Sequence, residues 1–202
     1  QAFEAKSRRC HRDRPAVQIV ERRRPGPVMV FEVELQVRLK PGEAPRPVLL
    51  EVHPEWSPHG VERFKQLVES GFYSQARFHR VIPDFIAQVG IAADPAVYAK
   101  WGNSPIKDDP VKESNQRGYV SFAMRGPDTR SCQIFFNYKD NRDLDGQGFS
   151  PIAIVKEGME VIDKLTVPAG KGPDQPQLKE QGNAYLDSAF PDLSEIVEAK
   201  VR

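Results

Sequence analysis

In residues 76–83, ARFHRVIP, an arginine sits inside a run that otherwise reads as a half-buried β-strand. Strand alternation puts Phe78, Arg80 and Ile82 on one face and His79 and Val81 on the other. Arg80 is then either a structural cation paired inside the fold or a group facing a pocket. A guanidinium in a sealed interior is costly unless paired. At the border of a groove it is an always-charged fork of five donors beside an apolar wall. After the Pro83-Asp84 turn, Ile86 and Gln88 share a face, and Gln88 is a second polar group in an apolar strand. The segment 118–137, GYVSFAMRGPDTRSCQIFFN, adds Gln133 just before Phe135 and Phe136. On residue types alone two readings stay open: a site built on Arg80 and Gln133, or two ordinary satisfied polar residues, the simpler of the two.

The remaining chemistry-bearing residues point to packing. His79 reads as a packed histidine, and His11, His53 and His59 show no metal-ligand spacing. Trp56 and Trp101 read as packing anchors. Cys10 and Cys132 lack CxxC spacing, which indicates neither a zinc site nor a disulfide framework, although a single bridge stays open. Cys132 lies in a β-rich segment and is expected to be a buried thiol.

The elements that must position these residues are mostly strands. From Met29 to Leu39 apolar and polar residues alternate strictly, predicting a strand with one face on a core. KPGEAPRP turns the chain into a second strand, VLLEVH, to make a hairpin. SPHGVERFKQLVESG predicts a helix with Ser57 as N-cap, Pro58 at its first position, Val61, Phe64, Leu67 and Val68 on one face, and Gly71 at its end. Two β-rich segments, 76–90 and 118–138, flank a long polar stretch marked by Pro95, Pro105 and Pro110, of a length that suits a functional loop or lid. IAIV then predicts a strand, GMEVIDKL a helix start, and LSEIVEAKV a terminal amphipathic helix. There are no internal repeats, and the spacing of strands predicts a closed antiparallel barrel covered by helices.

The chain has 202 residues, suiting one domain with extensions. Its 39% hydrophobic and 28% charged content is that of a soluble globular protein, and no apolar run approaches the roughly 20 residues of a membrane-spanning helix. The net charge of +1 hides an asymmetry: residues 1–25 hold eight Lys/Arg against three Asp/Glu, leaving −4 for the remainder. That basic arm reads as an extension. It is either a solvated tail or remnant of an Arg-rich targeting sequence, or a contact for an acidic partner, nucleic acid or a membrane surface; of these a larger protein assembly is expected and nucleic acid is the weaker candidate.

FHRVIPDFIAQVG, then GYVSFAMRGPDTRSCQIFFN about thirty residues on, then LDGQGF and VKEGMEVIDKL resemble, in order and spacing, the cyclophilin family of peptidyl-prolyl cis-trans isomerases. The resemblance covers roughly residues 28–165. GKGPDQ and GNAYLDSAFPDL resemble the C-terminal extension of a bacterial and algal subgroup. It implies a mainly β fold, a closed eight-stranded antiparallel barrel capped by two helices. The expected division is a basic extension over 1–27, the barrel over 28–168 and a C-terminal extension with a short terminal helix over 169–202.

The resemblance also implies isomerase activity on X-Pro bonds of protein substrates, without metal or cofactor. By position Arg80 matches the catalytic arginine. Phe85, Ile86 and Phe135 match the wall of the proline pocket, and Leu144 its edge. Gln88 and Gln133 match the polar residues holding the arginine and substrate backbone, and Ala123 and Met124 the segment that binds the residues before proline. Departures qualify this picture. Asp143 stands where many members have tryptophan, which removes a contact used by cyclosporin and predicts weak inhibition. The histidine near the groove falls at Gly148 or Phe149, with Phe149 favoured as a restored piece of apolar wall. Met124 replaces a common asparagine, Ile152-Ala153 a Phe-Gly pair and Asp84 a glycine. The alternative is therefore a cyclophilin-fold binding or structural subunit of a larger, organellar complex with reduced activity. An Arg-rich start without Met is compatible with a processed chloroplast or mitochondrial protein, but leaves the compartment undecided.

Overall fold

The computed structural model describes residues 29–202; the basic arm and Cys10 lie outside these. The strictly alternating segment forms β1 (Phe31–Arg38), with Val33, Leu35 and Val37 fully buried, and its hairpin partner is β2 (Arg46–Val52). The sheet is antiparallel and its other strands are β3 (Ala76–Arg77), β4 (Arg80–Ile82), β5 (Ile86–Val89), β6 (Tyr119–Phe122), β7 (Ile134–Asn137), β8 (Pro151–Glu157) and β9 (Glu195–Val201). Their hydrogen-bonded order is β3-β9-β1-β2-β8-β6-β7-β5-β4. The first and last of these are joined by only Phe78 and His79, so the two ends of the sheet lie side by side. The chain, rather than a ladder of hydrogen bonds, bridges the seam.

Nine strands replace the expected eight because the run that reads as one strand breaks at Phe78 and His79. Phe78 turns into the core, where its ring lies 6.0 Å from that of Phe136. Its N–H donates to the Ser194 carbonyl at 2.9 Å, next to β9. Arg80 resumes pairing on the far side and is exposed, so it does not share a face with Phe78 as simple alternation predicts.

The helices are α1 (Pro58–Glu69), α2 (Pro95–Gly102), α3 (Met159–Ile162), α4 (Gln175–Gln181) and α5 (Asn183–Ala189), against two capping helices expected. α1 buries Val61, Phe64, Leu67 and Val68 as predicted. Pro95, taken above as a loop signal, is instead the first-turn proline of α2, and Asp94 caps that helix by accepting from the Ala96 N–H at 2.8 Å. The terminal segment is a strand, not a helix. β9 inserts between β1 and β3, and its pairing with β1 slips at Gln36/Val37, where Ile196 faces Val37 but Glu198 faces Gln36. The bulged Val197 stretches the buried spacing to three, Ile196 and Ala199, and a spacing of three imitates a helix.

The start of α1 corrects another expectation. Ser57 stands at the N-cap position but its side chain caps nothing. Its hydroxyl donates to Asp109 at 2.6 Å, and it is the Asp109 carboxylate that accepts from the His59 and Gly60 N–H groups at 3.0 and 2.9 Å. Fully buried Arg130 completes the cluster, donating to Asp109 at 3.0 Å, to Ser57 at 3.2 Å and to Asp108 at 3.1 Å. Burial alone would raise the Asp109 carboxyl; its hydrogen bonds outweigh that and hold it below its ordinary value. A Cβ on Gly60 would lie 2.6 Å from the Ser57 hydroxyl and 2.9 Å from Ile152, so only glycine admits this cluster.

Candidate active site

β4 and β5 pair so that Arg80 faces Gln88, and β5 and β7 pair so that Gln88 faces Phe135. This register makes a relay. Arg80 Nη1 donates to Gln88 Oε1 at 3.2 Å, and Gln88 Nε2 donates to Gln133 Oε1 at 2.8 Å. Gln88 is buried, so the relay fixes one face of an otherwise exposed guanidinium with neutral acceptors and leaves its charge uncompensated.

Beside it, Ile86, Phe135 and Leu144 form a small apolar cluster separate from the main core, with Phe85, Ala123 and Phe149 packed against it. Phe149 meets Phe135 edge to face, ring centroids 5.6 Å apart. Leu144 is carried by a 3₁₀ turn, Arg142–Gln147, and that turn is anchored from below. Buried Asn141 donates to the Phe85 carbonyl at 3.0 Å, and fully buried Asn115 donates to Asp145 at 2.7 Å and to the Phe149 carbonyl at 2.8 Å. These asparagines position the wall, yet nothing in their spacing singles them out.

The groove between relay and wall has a volume of about 460 Å³, and all ten residues named from the sequence line it: Arg80, Phe85, Ile86, Gln88, Ala123, Met124, Gln133, Phe135, Leu144 and Phe149. Of the two positions competing for the histidine's place, Phe149 lines the groove, while Gly148 takes a left-handed φ of 88° at the end of the turn. The Ala123 N–H is spent on the Gln133 carbonyl at 2.9 Å. Asp143 is exposed on the 3₁₀ turn and does not line the groove. Asp84 adopts a φ of 56°, a left-handed conformation that glycine enters without a Cβ clash. Sequence reading missed Tyr98, Arg125, Thr129, Ser131, Gln147 and Gln175, which also line the groove. Arg125 adjoins Met124 and was within reach of inspection; Tyr98 and Gln175 arrive on α2 and α4, whose docking has no local signature.

His79 and Cys132 lie behind the site. Burial lowers the His79 imidazole to about 4 and raises the Cys132 thiol to about 11, which leaves both neutral. Neither ring nitrogen of His79 has a hydrogen-bond partner.

Residues 37–181 match the family model for cyclophilin type peptidyl-prolyl cis-trans isomerases. The chain belongs to the cyclophilin family. A protein of Brucella abortus named as a probable peptidyl-prolyl cis-trans isomerase is 33% identical over 140 residues, covering 64% of this chain and 69% of the relative. Peptidyl-prolyl cis-trans isomerase-like 2 of Cryptococcus neoformans is 30% identical over 154 residues, covering 71% of this chain but 26% of the relative. This cyclophilin chain thus spans about a quarter of that fungal protein's length. Among solved structures, a Cryptosporidium parvum cyclophilin type peptidyl-prolyl cis-trans isomerase superposes with a TM-score of 0.64 at 21% identity, over 86% of this chain and 98% of that one. No helix among the described residues is long and apolar enough to cross a membrane.

Proposed function

We propose that the chain is a peptidyl-prolyl cis-trans isomerase acting on X-Pro bonds of protein substrates, with Arg80 as the catalytic donor. The observation that carries this reading is an arginine aimed by the Gln88-Gln133 relay across a groove whose opposite side is a separate apolar cluster. The Cryptosporidium structural neighbour has also been crystallised in the presence of the dipeptide Ala-Pro.

Rotation about an X-Pro bond meets a barrier of about 18–20 kcal/mol because the imide nitrogen shares its lone pair with the carbonyl. A donor directed at that nitrogen favours the pyramidal, decoupled nitrogen of the twisted state. Ile86, Phe135, Leu144 and Phe149 would hold the ring, the 123–124 segment would hold the chain before it, and Arg80 Nη or Nε would donate as the amide twists. No covalent bond forms or breaks. The test is the cis-trans exchange rate of a short X-Pro peptide, measured by NMR. Wild type accelerates exchange and Arg80→Ala loses roughly 100- to 1,000-fold in kcat/KM; a folded wild type that leaves the rate at its uncatalysed value overturns the reading.

A second reading, a binding or structural subunit of a larger and organellar assembly, is favoured by exposed Asp143, which leaves the proline pocket without the tryptophan common in the family. Deleting residues 1–25 separates the two: loss of assembly with an unchanged exchange rate supports the subunit reading, and no change in either removes the arm from both.

A further inference from the structure

The groove just described does not end at Arg80. A second one, about 390 Å³, opens on the far side of the same side chain, between β4 and the loop 167–173 that leads into α4. Arg80 and Gln175 line both, so the two form one track divided by the guanidinium. Its charge is one-sided. Arg80 and Arg125 line the first groove and Arg80 and Lys171 the second, all three exposed, and neither groove is lined by any Asp or Glu. Lys179 stands behind the first groove, its ammonium 5.8 Å from the ring of Tyr98, and burial and the nearby Arg125 cation lower it from its ordinary value. Among the described residues, ion pairs occupy Lys107, Arg117, Arg130 and Lys156, but none joins Arg80, Arg125, Lys171 or Lys179 to a carboxylate. The cationic track lies on a body whose charge from residue 26 onward is net −4. Cations left unpaired along a substrate channel raise the local concentration of anionic ligands and disfavour cationic ones.

We infer that the joined grooves select X-Pro segments flanked by acidic residues, with Arg125 and Lys171 receiving carboxylates on either side of the site occupied by the prolyl bond. This rests on the isomerase reading for its catalytic readout only, because binding can be measured separately. Gln175, at the start of α4, sits between the two cations and would donate to the substrate backbone where the chain passes from one groove to the other.

The experiment uses three peptides with one X-Pro core and flanks of alanine, glutamate or lysine. Exchange rates and, by chemical-shift titration, dissociation constants are measured at about 20 mM and about 0.5 M salt. An exposed ion pair is worth roughly a factor of 1.5 to 5, so two of them favour the glutamate peptide over the alanine peptide by about tenfold. The gain should sit in KM and Kd, and most of it should vanish at high salt, where screening acts within a few ångströms. Lys171→Glu and Arg125→Glu, each checked for an unchanged thermal midpoint, should reduce or reverse the ratio between glutamate and lysine peptides. Equal affinities for all three peptides in wild type overturn the inference. Acidic preference in Kd without any acceleration would sustain it while removing the isomerase reading.

Discussion

The proposed reaction transfers no proton, so pH dependence must enter through the fold, and buried His79 adjoins Arg80 in the chain. Its folded value of about 4 lies below the ordinary 6.5, so the unfolded chain binds a proton that the folded one refuses. Stability from this group is therefore complete above pH 6.5 and is lost as pH falls, by about 3 kcal/mol at pH 4. Urea unfolding at pH 7 and pH 4 should show this loss in wild type, and His79→Leu should abolish most of it. Exchange catalysis per folded molecule should stay flat between pH 6 and 8. Asp143 makes a separate prediction: Asp143→Trp should tighten cyclosporin binding by about tenfold, the worth of one well-placed aromatic contact, read by calorimetric titration. At this scale legibility followed oddness. Arg80 stood out in an apolar run and Gln88 and Gln133 less so, whereas Asn115 and Asn141, which hold the wall, look like any loop asparagine.

α1 shows how an element can be read correctly and explained wrongly. Pro58 and the apolar face locate it, but its cap comes from Asp109, roughly fifty residues away, rather than from adjacent Ser57. Asp109→Ala should cost about 3–5 kcal/mol, because it uncaps the helix and takes from buried Arg130 the buried one of its two carboxylate partners, leaving only part-exposed Asp108. Ser57→Ala should cost closer to 1 kcal/mol. Equal losses in urea unfolding would refute this assignment of the cap. β9 failed differently: a single bulged residue converts alternation into a helical spacing, and no local rule distinguishes the two without the partner strand. α2 was hidden because Pro, in the absence of a clear apolar stripe, reads equally as a breaker and as a first helical residue.

At the level of the whole molecule, the sheet depends on its last strand. β9 pairs with β1 on one side and β3 on the other, so the last residues of the expected extension belong to the sheet itself. Ending the chain at Ser194 should expose the β1 edge and leave β3 without a ladder; the expected result is aggregation on purification, and a monomeric, cooperatively melting product would contradict it. The class of the fold was legible because alternation and turn residues are local, while the closing of the seam was not, since it depends on which distant strands meet. The same arrangement sets a schedule for biosynthesis. β1 ends at Arg38 and β9 begins at Glu195, so 156 residues lie between a strand and its second neighbour. At about 5–20 residues per second a ribosome needs on the order of 8–30 s to make that interval. Until β9 emerges, β1 presents an open edge to whatever waits at the ribosome.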